Sequence, residues 1–414
     1  MPQPPTVDPA IRGKSLLIFD DGLRSTDGHW FEYDKAVVAA HVAAGCEVTV
    51  LCHAAFVHSA ALEALGARVR PVIRQSIFAD DFAPPVGRAG KLLGAIRLGL
   101  HFASVLKPIL NARSFDLVLH PSAMITDLVA WRFVPRRLRR RAGRIGLLVR
   151  YGLAEHGGSG PPRFARKHRA WRLLLGTLRR ECAEGRLRLL TDSSRLADEY
   201  EAASGARPKV LCHLQDFEAP ARRPAADGPL TFTSLGTARF EKGIDRLQEA
   251  IERVIANDQA HGLCFVLQWN RSVPLPNGAQ LERSPALQGA AEVEFIETAL
   301  TSARYQGLLA ATDCMILPYR RAFYHSRISG VAVEAACAGI PMIYTADTWL
   351  ADFVAEHGAG VAVADGDGAG LARAIVAMRN DYDTYKRRAV ERSAVARAHN
   401  SPERFVAMLW DAAR

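Results

Sequence analysis

Residues 15–52 carry one pattern that the chain then repeats: an apolar strand, a loop bearing Gly and Asp, a helix stopped by glycine, and a second apolar strand. Residues 15–19 are the first strand, ended by Asp20-Asp21-Gly22. Asp27-Gly28-His29 lies in the loop, the helical spacing runs over 31–44, Gly45 closes it, and 47–52 is the next strand. A crossover helix between two strands sets them parallel. Apolar runs at 67–72, 117–119, 145–149 and 187–190, separated by helical segments such as 91–110, extend the same sheet. Strands alternating with helices give an open α/β sheet rather than separate α and β layers.

The pattern breaks at 218–229, a polar stretch with three prolines, and restarts. Strands are expected at 230–235, 264–268, 293–296, 314–317, 341–344 and 360–363, and helices at 244–255, at 305–311 and from near Ser329. The chain therefore reads as an N-terminal domain 1–217, a linker 218–229, a second α/β domain 230–398 and a final helix 399–414 that crosses back to the first domain. Two domains of this kind, both with parallel sheets, place a ligand cleft between them at the carboxyl ends of the strands.

Charge is uneven. Residues 1–220 hold 32 Lys and Arg against 21 Asp and Glu, and the rest of the chain 21 against 22. An anionic partner for the N-terminal half follows. Neither a transmembrane helix nor a secretory leader is expected, and the expected compartment is the cytoplasm. The seven Cys form no C-x-x-C pair and sit in apolar runs, so they read as small buried hydrophobes.

Two segments carry chemistry. In Leu235-Gly236-Thr-Ala-Arg239-Phe-Glu-Lys242-Gly243, between a strand and an amphipathic helix, Arg239 and Lys242 can converge on one anion while Gly236 lets the backbone approach. The bland alternative is a solvated basic turn. In the second, a strand ends at Leu317-Pro318, a loop contains His325-Ser326-Arg327-Ile328, and a helix starts at Ser329-Gly330 and stops at Gly339. The free N–H groups of that helix favour a phosphate. Glu334 lies one turn inside an otherwise apolar helix and needs donors, either ribose hydroxyls or a neighbouring protein group.

Arg-x-x-Lys-Gly after the first strand of a second α/β domain, with Ser-Gly…Glu-Ala…Ala-Gly-Ile-Pro beginning 90 residues after the Arg, resembles retaining glycosyltransferases of family 4, glycosyl transferases group 1. The resemblance implies the GT-B fold: two Rossmann-like domains facing an interdomain cleft. It implies a hexosyltransferase that needs no metal and no cofactor, taking a nucleotide-sugar donor and a glycan or lipid-linked acceptor, in surface polysaccharide or glycolipid synthesis. By this resemblance Arg239 and Lys242 hold the donor diphosphate and are catalytic. The backbone of Gly236, Ser329 and Gly330 adds N–H groups, and Glu334 binds the ribose. Glu297, Thr298 and Tyr305 lie where the base packs, and Gly28 stands, after Asp27, in the usual Gly-Gly position.

Two positions depart from the family pattern. Its Glu eight residues before Glu334 is Ser326 here, with His325 or Arg327 as substitutes, and its mid-domain His is replaced by Arg150-Tyr151. His120, at another strand end, is the alternative cleft histidine. Asp365-Gly-Asp367 and Asp381-Tyr-Asp383 read as turn and helix chemistry rather than metal ligands.

The Arg-rich run 132–144, cations at 163–172 interleaved with Phe164 and Trp171, and a stripe of Leu92, Ile96, Ala103, Leu106 and Leu110 suit an anionic membrane surface, with peripheral attachment at its inner face. The other reading is a solvated Arg-rich surface with that helix packed on the sheet. No nucleic-acid module is present. The alternatives to a transferase are a catalytically silent GT-B protein binding nucleotide or polyanion, and a nucleotide-sugar epimerase.

Overall fold

Seven parallel strands form one sheet and six form another. The computed structural model describes residues 11–26, 29–78, 87–156, 163–164, 167–215, 228–270 and 272–412; Gly28 and most of the expected linker lie outside them. The first sheet contains β1 (Ser15–Asp20), β2 (Glu47–His53), β3 (Arg68–Ile73), β4 (Leu117–His120), β5 (Arg144–Leu148), β6 (Leu187–Thr191) and β7 (Lys209–Val210), in the order 3-2-1-4-5-6-7. The second contains β8 (Leu230–Ser234), β9 (Leu263–Gln268), β10 (Val293–Ile296), β11 (Cys314–Leu317), β12 (Met342–Thr345) and β13 (Gly360–Val363), in the order 10-9-8-11-12-13. Every pairing within them is parallel. Parallel sheets are covered on both faces, which is why β1 and β11 read as continuous apolar runs and are buried at every residue.

The chain divides into two compact units: Met1–Ala154 with Phe164–Asp216 and Ser401–Arg414, and Glu155–Arg163 with Phe217–Asn400. The short piece Glu155–Arg163 interrupts the block expected at 1–217. Within it the His156 ring stacks on His325 with centroids 4.0 Å apart. In the first unit the last helix, Pro402–Ala412, packs Phe405, Val406, Leu409 and Trp410 against Val37 and Val38. His41 joins them with Nδ1 at 2.7 Å from the Val37 carbonyl, and burial pulls its pKa down to about 4.

The helix Gly87–Ala112 differs from its expected stripe. Leu98, Phe102, Ala103, Leu106 and Leu110 are fully buried, whereas Leu92, Leu93 and Leu100 are exposed. Its Gly90–Ala112 stretch is long and apolar enough to cross a membrane by length and composition, which the sequence reading did not anticipate, and about a third of its most apolar part is buried. Two members of the supposed surface patch also serve the interior. Trp171 is buried edge-on to Tyr200 at 5.1 Å. Arg139 pairs with buried Glu181 at 2.9 Å and donates to the Trp131 and Val134 carbonyls at the end of a helix. All seven cysteines are free and five are buried. Asp367 caps a helix by accepting from Gly370 N at 2.7 Å.

In each sheet the strand order reverses between two neighbours, β1 and β4 in the first, β8 and β11 in the second. Loops leaving such a pair diverge to opposite faces and open a crevice for ligands. The two motif loops leave β8 and β11.

Candidate functional site

The loop after β8 is held in shape by two glycines in the left-handed region. Gly236 has φ +83° and donates its N–H to Gln268 Oε1 at 2.7 Å. A Cβ there would lie 2.5 Å from Lys242 Nζ, so the ammonium rests against bare backbone. Gly243, at φ +69°, starts the helix Ile244–Ala256, and a Cβ on it would overlap the Pro318 carbonyl oxygen. The loops after β8 and β11 therefore touch through glycine. That helix turns Ile244, Leu247, Ala250, Ile251 and Val254 inward, the one-sided spacing of an amphipathic helix.

Arg320, at the start of the second loop, ties the two together. Its backbone N–H donates to the Glu241 carbonyl at 2.9 Å and its Nε to the Phe240 carbonyl at 3.0 Å. Its guanidinium lies 3.9 Å from the Phe240 ring centroid and pairs with Asp245. Sequence reasoning passed over Arg320 and Gln268. Gln268 ends the strand beside β8, and that position was its signal.

Lys242 has no carboxylate partner among the described residues. Burial first, then the neighbouring charges of Arg239 and Arg327, pull its pKa down to about 8, with Glu241 acting in the opposite direction. Arg239 is exposed, 3.4 Å from Glu241. Arg327 lies over the Tyr324 ring at 5.2 Å and Lys242 Nζ is 5.8 Å from the Tyr319 centroid. Three cations that raise one another's electrostatic cost are an arrangement an anion relieves.

Ser329 caps the helix Gly330–Cys337, its hydroxyl accepting from Ala332 N at 3.3 Å. The first turn of that helix reaches the first loop: a Cβ on Gly236 would sit 3.8 Å from Val331 Cγ2. Glu334, half-buried, accepts a hydrogen bond from the Tyr305 hydroxyl of the helix Ser302–Ala311. Burial and the Glu334 charge push the Tyr305 pKa well up. Tyr305 thus orients the carboxylate, a different contact from the base packing expected of it.

Gly236, Arg239, Lys242, Arg327, Ser329, Gly330, Tyr305 and Glu334 therefore fall on one set of touching elements. Ser326 is 5% exposed and Ile328 packs half-buried on the core. Glu297 and Thr298 are exposed, and Glu297 pairs with Arg283. His325 Nδ1 is 3.2 Å from the Asp347 carbonyl.

In the first unit, His120 is 1% exposed, with Nδ1 2.7 Å from Asp127 Oδ1, while Trp131 Nε1 donates to its Nε2 at 3.1 Å. Both ring nitrogens are occupied by protein, so the expectation of a cleft histidine gives way to a histidine serving the core. Arg150 lies 3.2 Å from Asp192 and 4.0 Å from the Tyr33 ring centroid. Burial pushes the Asp192 carboxyl up, but Arg150 and His213 hold it below the usual range. Around them burial raises Asp20 to about 6 and, together with neighbouring carboxyl charge, raises Asp34 well above its ordinary value. The Asp20 and Asp34 carboxyls face each other and share a hydrogen bond, which lowers Asp20 and raises Asp34. Arg150 is the counter-ion of this nest. The sequence signal for the nest was Asp20-Asp21 at the end of β1.

Residues 230–381 match the family model of glycosyl transferases group 1. No curated protein matches the chain by sequence. Sucrose-phosphate synthase of Thermosynechococcus elongatus is structurally similar at 14% identity, TM-score 0.68, over 96% of this chain and 98% of that one. The Anabaena protein Alr3699/HepE, in complex with UDP and glucose, is similar at 16% identity, TM-score 0.66, over 97% and 100%. A glycosyltransferase of Rickettsia africae is similar at 11% identity, TM-score 0.65, over 97% and 98%. The two parallel-sheet α/β units have the GT-B fold of these glycosyltransferases.

Proposed function

We propose that the chain is a retaining glycosyltransferase of family 4, a hexosyltransferase that works without a metal ion on a nucleotide-diphosphate sugar. The observation that carries this reading is Lys242: a half-buried ammonium without a carboxylate partner among the described residues, pressed on Gly236 and flanked by Arg239 and Arg327. A diphosphate relieves that repulsion and raises the Lys242 pKa, so the ammonium keeps its proton to higher pH. As the glycosidic bond breaks, negative charge grows on the departing phosphate, and fixed cations there stabilise the transition state more than the ground state. The N–H groups at Ser329 and Gly330 add donors. Glu334, oriented by Tyr305, accepts from the ribose hydroxyls. UDP in the similar Anabaena structure makes it the first nucleotide to test.

The acceptor in this proposal is a glycan or lipid-linked intermediate of surface polysaccharide or glycolipid synthesis, taken by the first unit, with Arg150 in its binding nest. Exposed Leu92, Leu93 and Leu100 on a helix carrying Lys91 and Arg97 support peripheral attachment to an anionic membrane at the cytoplasmic face. A second reading, a catalytically silent nucleotide-binding protein, is favoured by Ser326, which puts a buried hydroxyl where the family's carboxylate stands.

Thermal-shift titration with UDP, GDP and their sugars tests the reading. Nucleotide at a hundred times its dissociation constant adds about 2.7 kcal/mol of stability. Arg239→Ala and Glu334→Ala should each remove that gain and abolish transfer. Stabilisation by nucleotide with no turnover of any nucleotide sugar selects the silent reading. Unchanged stabilisation in both variants rejects the site.

A further inference from the structure

The amino ends of β1, β4, β5 and β6 frame an open cavity of about 640 Å³ in the first unit, at the edge of the sheet away from Asp20, His120 and Arg150. Its two carboxylates are already committed. Asp116 accepts from the backbone N–H and hydroxyl of Ser15, each at 2.9 Å, and from Lys14 at 3.1 Å; these contacts outweigh burial and hold its carboxyl below the usual range. Glu184 pairs with Arg180 at 2.6 Å and with Arg186. Arg140, Arg141 and Arg144 line the same cavity, and none of them pairs with a carboxylate among the described residues.

These three arginines sit on a fixed turn. Phe115 N donates to the Arg141 carbonyl at 2.8 Å and Arg144 N to the Asp116 carbonyl at 3.0 Å. Gly143, at φ +55°, allows the turn to close, since a Cβ there would lie 2.6 Å from the Asp116 carbonyl oxygen. A second observation points the same way. Trp410, 3% exposed, lines the cavity, and its indole N–H has no acceptor among the described residues. The Arg141 Nε is also buried without one among the described residues. Three guanidinium groups, one with a buried Nε lacking an acceptor, and the Trp410 indole N–H are chemically complementary to a multiply charged oxyanion, and the guanidinium fork matches phosphate oxygens.

We propose that this cavity binds a phosphate group, carried by a lipid headgroup or by a free phosphorylated metabolite, at a site separate from the one built on Lys242. The ligand sits among Arg140, Arg141 and Arg144 and accepts from the Trp410 indole. Binding here uses the positive charge of the first unit without involving its carboxyl-end nest.

The full chain is titrated with inorganic phosphate and pyrophosphate by calorimetry and tryptophan fluorescence. It is also sedimented with phosphatidylcholine vesicles, with and without phosphatidylglycerol. The proposal expects saturable binding in at least one arm, weakened at least about tenfold in Arg140→Gln/Arg141→Gln/Arg144→Gln, and a fluorescence change on binding that Trp410→Phe removes. Binding to phosphatidylglycerol vesicles alone identifies a lipid headgroup; binding of the soluble phosphates alone identifies a metabolite. Circular dichroism and the melting temperature check that the triple variant folds; if it does not, Arg144→Gln alone carries the comparison. No binding in either arm, or equal binding by wild type and folded variants, overturns the proposal.

Discussion

Replacing Lys242 by methionine should make the free protein more stable and its nucleotide complex weaker. The Lys242 pKa falls from the ordinary 10.5 to about 8 through burial and then the charges of Arg239 and Arg327. At about 1.4 kcal/mol per pH unit, the folded site opposes that charge by about 3 kcal/mol, reduced to roughly 1–3 kcal/mol by solvent reaching the half-buried side chain. The sign follows from proton counts. Between pH 8 and 10.5 the unfolded chain holds the lysine proton and the folded chain has lost it, so wild-type stability rises with pH across that window. Methionine keeps most of the stem packing and has no charge to oppose. Lys242→Met should therefore exceed wild type by the full amount at pH 7, with the gap shrinking to less than about 1 kcal/mol by pH 10.

Urea unfolding of both proteins at pH 7, 8, 9 and 10 measures this directly. Calorimetry supplies a second readout. If a diphosphate restores the lysine charge, UDP binding takes up about half a proton per site at pH 8 and close to one at pH 9, visible as a dependence of binding heat on buffer ionisation enthalpy. Lys242→Met shows no such uptake. A variant less stable than wild type at pH 7, or a stability gap that does not change between pH 8 and 10, refutes the argument that like charge and burial depress this lysine.

Gly243→Ala forces a side chain into the left-handed region and onto the Pro318 carbonyl. The melting temperature should fall by the equivalent of at least about 1–3 kcal/mol, and nucleotide stabilisation should weaken with it. Arg320→Lys keeps the charge but loses the planar fork that joins the Phe240 carbonyl and Asp245. We expect roughly 1–3 kcal/mol lower stability and weaker UDP binding by calorimetry. Asp34→Asn removes a buried carboxyl whose pKa is raised, so the folded state no longer pays for ionising it: stability at pH 7 should rise by roughly 1–3 kcal/mol. The decline in wild-type stability as pH rises from 4 to 6, driven by Asp20 at about 6 and Asp34 above its ordinary value, should flatten.

The doubly wound sheets were readable because both of their faces are covered, so strands such as 314–317 stand out as unbroken apolar runs. The site loops were readable where backbone geometry forces a residue type: Gly236 and Gly243 need positive φ, and Ser329 caps a helix. Contacts between side chains distant in sequence left less trace. Tyr305 reaches Glu334 across two helices, and Arg320 acts on a loop about 80 residues earlier. His120 is instructive because its partners were in plain view. Asp127 and Trp131 are four residues apart on the helix Ile125–Phe133, hence on one face, and together they occupy both imidazole nitrogens. The placement of Glu155–Arg163 with the second unit had no counterpart in periodicity or composition.

Several costly features of the second unit meet where β8 and β11 end. Two left-handed glycines, a lysine beside two arginines and an overlooked Arg320 clamp occupy one set of loops, while the strands and the helix Ile244–Ala256 obey ordinary patterning. Left-handed residues occur elsewhere in the unit, at Asp258, Gly262, Gly278, Gly339, Asp347 and Gly366, but Gly236 and Gly243 are the ones set against the Lys242 ammonium and the Pro318 carbonyl. The cations of this protein fall into two kinds. Arg139 and Arg150 have protein counter-ions, Glu181 and Asp192. Lys242 in one unit, and Arg140, Arg141 and Arg144 in the other, have no such carboxylate among the described residues, and in the two proposals an anion from solution completes their environment. Charge reversal separates the two kinds: Arg150→Glu places like charge beside Asp192 and damages folding, whereas Arg144→Glu damages only anion binding.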